Sequence, residues 1–156
     1  MTPAEVTAYH EAGHAIAYRH FGNRIRSVEL FDAGGGFTCG HCWASQDTPL
    51  RKAMRSLSGP ASEYVATGTV DRDHCRTDLE NAARYARDGG IRLDDVWPEA
   101  LALVDRYQHD IETVAEELLR RGRLDGAAIL RLIGPPRTPY RFRDATSWQS
   151  PRWAAG

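Results

Sequence analysis

Two histidines and a glutamate stand together near the start of the chain, in the run His10, Glu11, Ala12, Gly13 and His14. Residues four apart lie on one face of a helix, so His10 and His14 can both direct an imidazole at a single metal ion. Glu11 lies beside that face, where a carboxylate is badly placed as a ligand but well placed to take a proton from water. These residue types at this spacing predict a catalytic zinc site and hydrolytic chemistry.

Local sequence features predict that this motif lies on a helix. Thr2 is suited to the N-cap, Pro3 to the first helical position, and Glu5 completes a capping box. Gly22 is predicted to end the helix. The alternative is that the motif arises by chance, as two surface histidines and a solvated glutamate.

The rest of the chain predicts a mainly α-helical fold with a small sheet of two or three strands. Residues 25–31 and 36–43 are predicted to form a hairpin around a turn at 32–35. Apolar periodicity and capping patterns then predict helices from Thr48 to Gly68 with a kink at Gly59-Pro60, from a capping box at Thr77 to Gly89-Gly90, from Pro98 to Arg121 as one helix or two, and from Asp125 to Ile133.

Composition places limits on the whole chain. Its 156 residues are 42% hydrophobic, which is enough for one core, and we expect a folded domain over 1–133 and an extended or disordered tail over 134–156. A net charge of −1 gives no general attraction to nucleic acid or to an anionic membrane. With no apolar run that could span a bilayer, no secretion leader pattern and three cysteines, the sequence predicts a cytoplasmic protein with reduced thiols.

Four segments resemble the peptidase domain of FtsH-type zinc proteases, the ATP-dependent family that degrades membrane and cytosolic proteins. In chain order they are AYHEAGHA at 8–15, LSGPASE at 57–63, TDLENA at 77–82 and the closing helices across 111–133. The resemblance covers Thr2 to Ile133 and implies that the mainly α-helical fold is a helical zincin-like metallopeptidase domain. The chain departs from the family in having no Gly-x-x-x-x-Gly-Lys-Ser/Thr phosphate loop and a shorter stretch at 88–98, so neither ATP-driven unfolding nor a hexamer is carried over.

A catalytic zinc needs a third protein ligand. The resemblance implies Asp78, which matches the aspartate of the family's NDLExA segment, whereas its local sequence equally allows a carboxylate that only complements the helix dipole. Glu80 and His74 are the rivals, Glu80 with an alternative role in the capping box and His74 in a polar loop where a solvated histidine is expected. Glu63 is expected to support the site or the helix packing rather than to bind the metal.

A C-x-x-C pair at Cys39 and Cys42 allows three interpretations. It can be half of a zinc knuckle with His74-Cys75 as the other half, a redox pair, or two small residues on a strand. The resemblance implies that this strand is the edge along which an extended substrate lies, bound through main-chain hydrogen bonds.

The sequence therefore predicts a zinc metalloendopeptidase that acts without ATP on extended or unfolded polypeptides. About one zinc per chain is expected, with His10, His14 and Asp78 as ligands and Glu11 as general base and acid. Two alternatives remain open, a non-catalytic binding protein whose zinc stabilises the same fold and a thiol-disulfide module that uses Cys39 and Cys42. The oligomeric state and the need for a separate ATPase or partner protein also remain open.

Overall fold

The structure, a computed structural model, describes residues 1–31 and 47–135 and the backbone of residues 34–39. Within this part the chain forms α1 (Pro3–His20), β1 (Ile25–Phe31), β2 (Gly34–Cys39), α2 (Pro49–Thr67), α3 (Arg76–Asp88), α4 (Leu93–Arg106), α5 (Gln108–Arg121), β3 (Arg123–Asp125) and α6 (Gly126–Ile133). The predicted mainly helical fold with a small sheet is confirmed. The predicted tail, from residue 136 onward, lies outside the described residues.

The start of α1 agrees with its sequence. The Thr2 hydroxyl accepts a hydrogen bond from the Glu5 N–H, and the Glu5 carboxylate accepts one from the Thr2 N–H at 2.6 Å. The helix ends at His20, just before Gly22, whose φ of 74° lies in the left-handed region. Both predicted ends of the motif helix are therefore confirmed.

Helix α1 is packed closely against α2, and this contact places the metal-site motif. A side chain at Gly13 would overlap the Ser58 carbonyl oxygen and lie 2.6 Å from the Ser62 Cβ. The Ser62 hydroxyl donates to the Tyr9 carbonyl at 2.7 Å. Glycine at position 13 lowers helix propensity but allows the two backbones to approach, which brings α2 against the face that carries His10 and His14.

The sheet has the order β2-β1-β3, and both pairs are antiparallel. Val28 of β1 is opposite Phe37 of β2 on one side and Leu124 of β3 on the other. Strand β2 begins at Gly34, earlier than predicted, so the predicted turn at 32–35 is wrong in its second half, and predicted strand residues 40–43 lie outside the described part. Strand β3 was missed because three residues give too short a pattern to recognise.

One predicted cap and one predicted helix start are wrong. Helix α3 begins at Arg76 with Cys75 at the N-cap and no side-chain cap, so the capping box predicted at Thr77 does not form. Helix α4 begins at Leu93 and contains Pro98 in its interior. The predicted span from Pro98 to Arg121 is two helices, α4 and α5, with Tyr107 between them.

The core lies where α1 packs against α2 and α5, α2 packs against α4, and α1, α5 and α6 pack against the sheet. Helix α2 is a single helix that contains both Gly59 and Pro60 and contacts α1, α3 and α4. The largest fully buried side chains include Ile16, Met54, Leu57, Leu103, Leu118, Leu124 and Ile129. None of the described helices is long and apolar enough to cross a bilayer.

Candidate metal centre

Three predicted ligands converge between α1 and α3. The Nε2 atoms of His10 and His14 lie 3.1 Å apart, and the Asp78 Oδ2 lies 3.0 Å from the first and 3.4 Å from the second. Two ligand atoms that each lie about 2.0–2.1 Å from a tetrahedral zinc are about 3.3 Å from one another. The three distances therefore fit ligands of one shared ion, and the structure brings Asp78 to the place that the resemblance implied.

Space for an ion is kept open by a glycine on α2. A Cβ at Gly59 would overlap the His14 Nε2 and lie 2.7 Å from the His10 Nε2. The Nε2 atoms of His10 and His14 thus face a helix position without a side chain. The donor set and this opening together fit a zinc ion held by two imidazoles and a carboxylate.

The far side of each imidazole faces a hydrogen-bond acceptor. The His14 Nδ1 donates to the Arg55 carbonyl oxygen at 2.9 Å, and the His10 Nδ1 lies 3.4 Å from the Glu63 Oε2. When an imidazole is neutral, an acceptor at Nδ1 favours the tautomer in which Nε2 carries the lone pair, and it holds the ring orientation. Both histidines are therefore oriented so that Nε2 can bind metal.

Glu63 is the most heavily hydrogen-bonded of these supporting residues. Its side chain is only 2% exposed, its Oε1 accepts from the Asp71 N–H at 2.7 Å, and its Oε2 lies 3.0 Å from the His74 Nδ1. Burial raises the pKa of Glu63, but hydrogen bonds from the two histidines and the Asp71 N–H outweigh it and lower the pKa to about 2. Glu63 is thus an ionised carboxylate that orients His10, as predicted for a supporting residue.

Negative charge around His10 makes the site attractive to cations. Burial lowers the pKa of His10, yet the hydrogen bonds to Asp78, Cys75 and Glu63 raise it overall to about 11. The pKa of Asp78 is held well below its usual range because its imidazole partners overcome the effect of burial. In the metal-free protein a proton on His10 balances the two carboxylates, and a bound divalent cation can take over that role.

Glu11 is buried beside the two histidines. The residue is only 6% exposed. Burial raises the pKa of its carboxyl, and this effect outweighs the lowering by the charges of His14 and His10. A carboxylate that binds protons more tightly than usual is suited to general base catalysis near neutral pH. Glu11 therefore has the environment expected of a proton acceptor at this site.

The rival ligands differ in their positions. Glu80 is exposed on α3, outside the groups of metal-binding side chains that the described residues form. His74 is exposed in the loop before α3, as expected, but it also contacts Glu63, and its ring centroid lies 4.7 Å from that of His10. The neighbouring Cys75 is fully buried, with its Sγ 3.3 Å from the Glu63 Oε2.

Sequence reasoning missed this environment of Cys75. The adjacent pair His74-Cys75, shortly before Asp78, was the only available indication. The Cys42 residue and the side chain of Cys39 lie outside the described residues, so the predicted C-x-x-C cluster stays a prediction.

An open groove of about 890 Å³ leads to this region. Glu63 and His74 line one part of it, and Thr7 of α1 and Leu30 and Phe31 at the end of β1 line others. Phe31 is 58% exposed. The groove therefore adjoins Glu63 and His74, whereas His10, Glu11, His14 and Asp78 are not among its lining residues.

Compared with models of known protein families and with curated proteins, the sequence gives no match. The resemblance to FtsH-type peptidases thus rests on the motifs themselves.

Proposed function

We propose that this chain is a zinc-dependent metalloendopeptidase that hydrolyses peptide bonds in extended or unfolded polypeptides. The ligands are His10, His14 and Asp78, and Glu11 is the general base and acid. The observation that supports this most directly is the convergence of three ligand atoms within 3.4 Å of one another beside a buried glutamate. A zinc held only to stabilise the fold has no need of that glutamate.

Zinc, when bound, lowers the pKa of water and polarises the scissile carbonyl. Glu11 takes the proton of the attacking water and passes it to the leaving amine, so that one carboxyl serves first as base and then as acid. Glu63 and the Arg55 carbonyl hold the two imidazoles in place throughout.

A cytoplasmic location and a polypeptide substrate belong to the same proposal. The net charge of −1 does not favour binding to a phosphate backbone. The reduced thiol of Cys75 suits a reducing compartment.

We expect the protein to cleave an unfolded polypeptide about 10³-fold faster than the same polypeptide when stably folded, because a stable fold opens in only about 10⁻³ of molecules or fewer. The substrate must be extended to lie along a sheet edge and make main-chain hydrogen bonds. A suitable test compares a small disulfide-bonded protein with its reduced and alkylated form, without nucleotide, by mass spectrometry of the products. Equal rates, with cuts inside the rigid core of the oxidised form, would contradict the proposal, as would activity that survives removal of zinc by a chelator.

Asp78→Ala should lower the affinity of the tightest zinc by more than about 100-fold, since loss of even an outer-shell partner costs about 10–100-fold. Glu80→Ala is the matched control, because it removes an exposed carboxylate from the same helix. Zinc affinity is measured by competition with a chromophoric chelator. If tight zinc binding is kept in Asp78→Ala and lost in Glu80→Ala, Asp78 is not the third ligand that the resemblance implies.

A further inference from the structure

A second group of metal-binding side chains lies on the other side of His10. It consists of His10, Glu63, His74 and Cys75, here called the Cys75 tetrad, whose ligand atoms all lie within 4.8 Å of one another. Glu63 and His74 also line the open groove, whereas Cys75 is fully buried. The proposed function uses Glu63 only to orient His10 and gives His74 and Cys75 no role.

Three contacts among His10, Glu63 and Cys75 have the lengths expected between ligands of one ion, and the His74 Nδ1 lies 3.0 Å from the same Glu63 oxygen. The Glu63 Oε2 lies 3.3 Å from the Cys75 Sγ and 3.4 Å from the His10 Nδ1, and the Sγ lies 3.7 Å from that Nδ1. Around a tetrahedral zinc, adjacent ligand atoms are about 3.3 Å apart for nitrogen and oxygen and about 3.5 Å apart when one is sulfur. Contacts of 3.4 Å and 3.7 Å to the His10 Nδ1 are long for strong hydrogen bonds but suit two ligands of the same ion.

The types of ligand atom in the Cys75 tetrad also limit which ions can bind there. One thiol, two imidazoles and one carboxylate make a set that favours zinc and related thiophilic cations over magnesium or calcium. We propose that the Cys75 tetrad binds a second thiophilic divalent cation, more weakly than the first site, with the His10 imidazole shared between the two ions. On binding, the Cys75 thiol and the His10 Nδ1 each release a proton to water, and the ion enters from the groove past His74.

The weaker affinity follows from the shared ligand. An imidazole that already binds one cation through Nε2 is a poorer ligand for a second, and the ligand atoms of the Cys75 tetrad lie within 4.8 Å of one another, a looser set than the three first-site atoms within 3.4 Å. We therefore expect about one zinc per chain in the purified protein and about two after dialysis against excess zinc.

Cadmium titration tests the inference, because a cadmium-thiolate bond gives an ultraviolet charge-transfer band. The band should appear in the full-length protein and in the Cys39→Ser/Cys42→Ser double variant, and it should be absent in Cys75→Ser. It should also appear in His14→Ala, which damages only the first site. Absence of the band in the full-length protein, or its persistence in Cys75→Ser, would overturn the inference.

Circular dichroism of the metal-free proteins shows whether Cys75→Ser is folded. If it is not, His74→Ala replaces it, since the His74 side chain is 28% exposed and its loss leaves the core intact. The affinity of His74→Ala for the second zinc ion should be lower by more than about 100-fold.

Elemental analysis after dialysis separates this inference from the proposed function. The expected zinc content is about two ions in the full-length protein and about one in both Cys75→Ser and Asp78→Ala. A single zinc that is lost in Asp78→Ala and kept in Cys75→Ser would leave the peptidase proposal standing and reduce the Cys75 tetrad to hydrogen bonds around a buried carboxylate. Two zinc ions without any peptide hydrolysis would support the second site at the Cys75 tetrad and contradict the peptidase proposal.

Discussion

Glu11→Gln is expected to lower peptide hydrolysis by about 10²- to 10⁴-fold, the usual contribution of a general base or acid, and to leave zinc binding intact. The amide of glutamine is similar in size to the carboxylate and can hydrogen-bond water, but it cannot accept a proton. Because Glu11 is not one of the three converging ligands, the metal should be retained. The loss should appear in kcat as well as in kcat/KM, since the interaction forms with the transition state.

Stability helps to separate this role from a structural one. Glu11 is buried and its pKa is raised by that burial, so replacing the charge with a neutral amide should not lower the thermal midpoint. Glu116→Gln, the same substitution at an exposed position on α5, is the control and should change neither rate nor midpoint. If Glu11→Gln kept its activity with full zinc content, Glu11 would have no part in the reaction.

The helix that carries His10 and His14, and the approach of their two imidazoles, could be predicted because their determinants are local. The capping box at Thr2 and the four-residue spacing of His10 and His14 depend on neighbouring residues, and both are present in the structure. The position of Asp78 needed the family resemblance, because nothing near it in sequence distinguishes a ligand from a carboxylate that complements a helix dipole.

Other features depend on contacts between distant segments, which local patterns do not contain. The start of α3 is one example, since its N-cap residue Cys75 is completely buried and packing there overrides the favourable capping sequence at Thr77. The contact between Glu63 and His74 is another, because it joins α2 to the loop before α3. Strand β3 is recognisable mainly through its pairing with β1.

Gly59 has a role in the structure that its sequence context did not indicate. Its pairing with Pro60 predicted a kink within α2, which runs as one helix from Pro49 to Thr67. The structural reason for glycine is its contact with the two imidazoles, since a Cβ at this position would meet the Nε2 atoms of His14 and His10. This gives a sharp test of whether the space beside those nitrogens holds the metal.

Gly59→Ala is expected to abolish tight zinc binding, with a loss in affinity on the order of 10³-fold or more because two of the three ligands are displaced together. The added methyl group meets the ends of two side chains rather than backbone, so the imidazoles can rotate away and the fold can persist. Alanine also favours a helix over glycine by about 1 kcal/mol. The metal-free protein should therefore unfold at nearly the same temperature as the unmodified one.

Ser58→Ala is the matched control, a substitution to alanine at the adjacent α2 position, where the hydroxyl only donates to the Met54 carbonyl. It should keep both zinc and activity. The measurements are zinc affinity by chelator competition, peptide hydrolysis at saturating zinc, and thermal unfolding of each metal-free protein. If Gly59→Ala kept tight zinc binding and full activity, the metal would have to bind elsewhere. The proposal that His10 and His14 bind one ion through Nε2 would then fail.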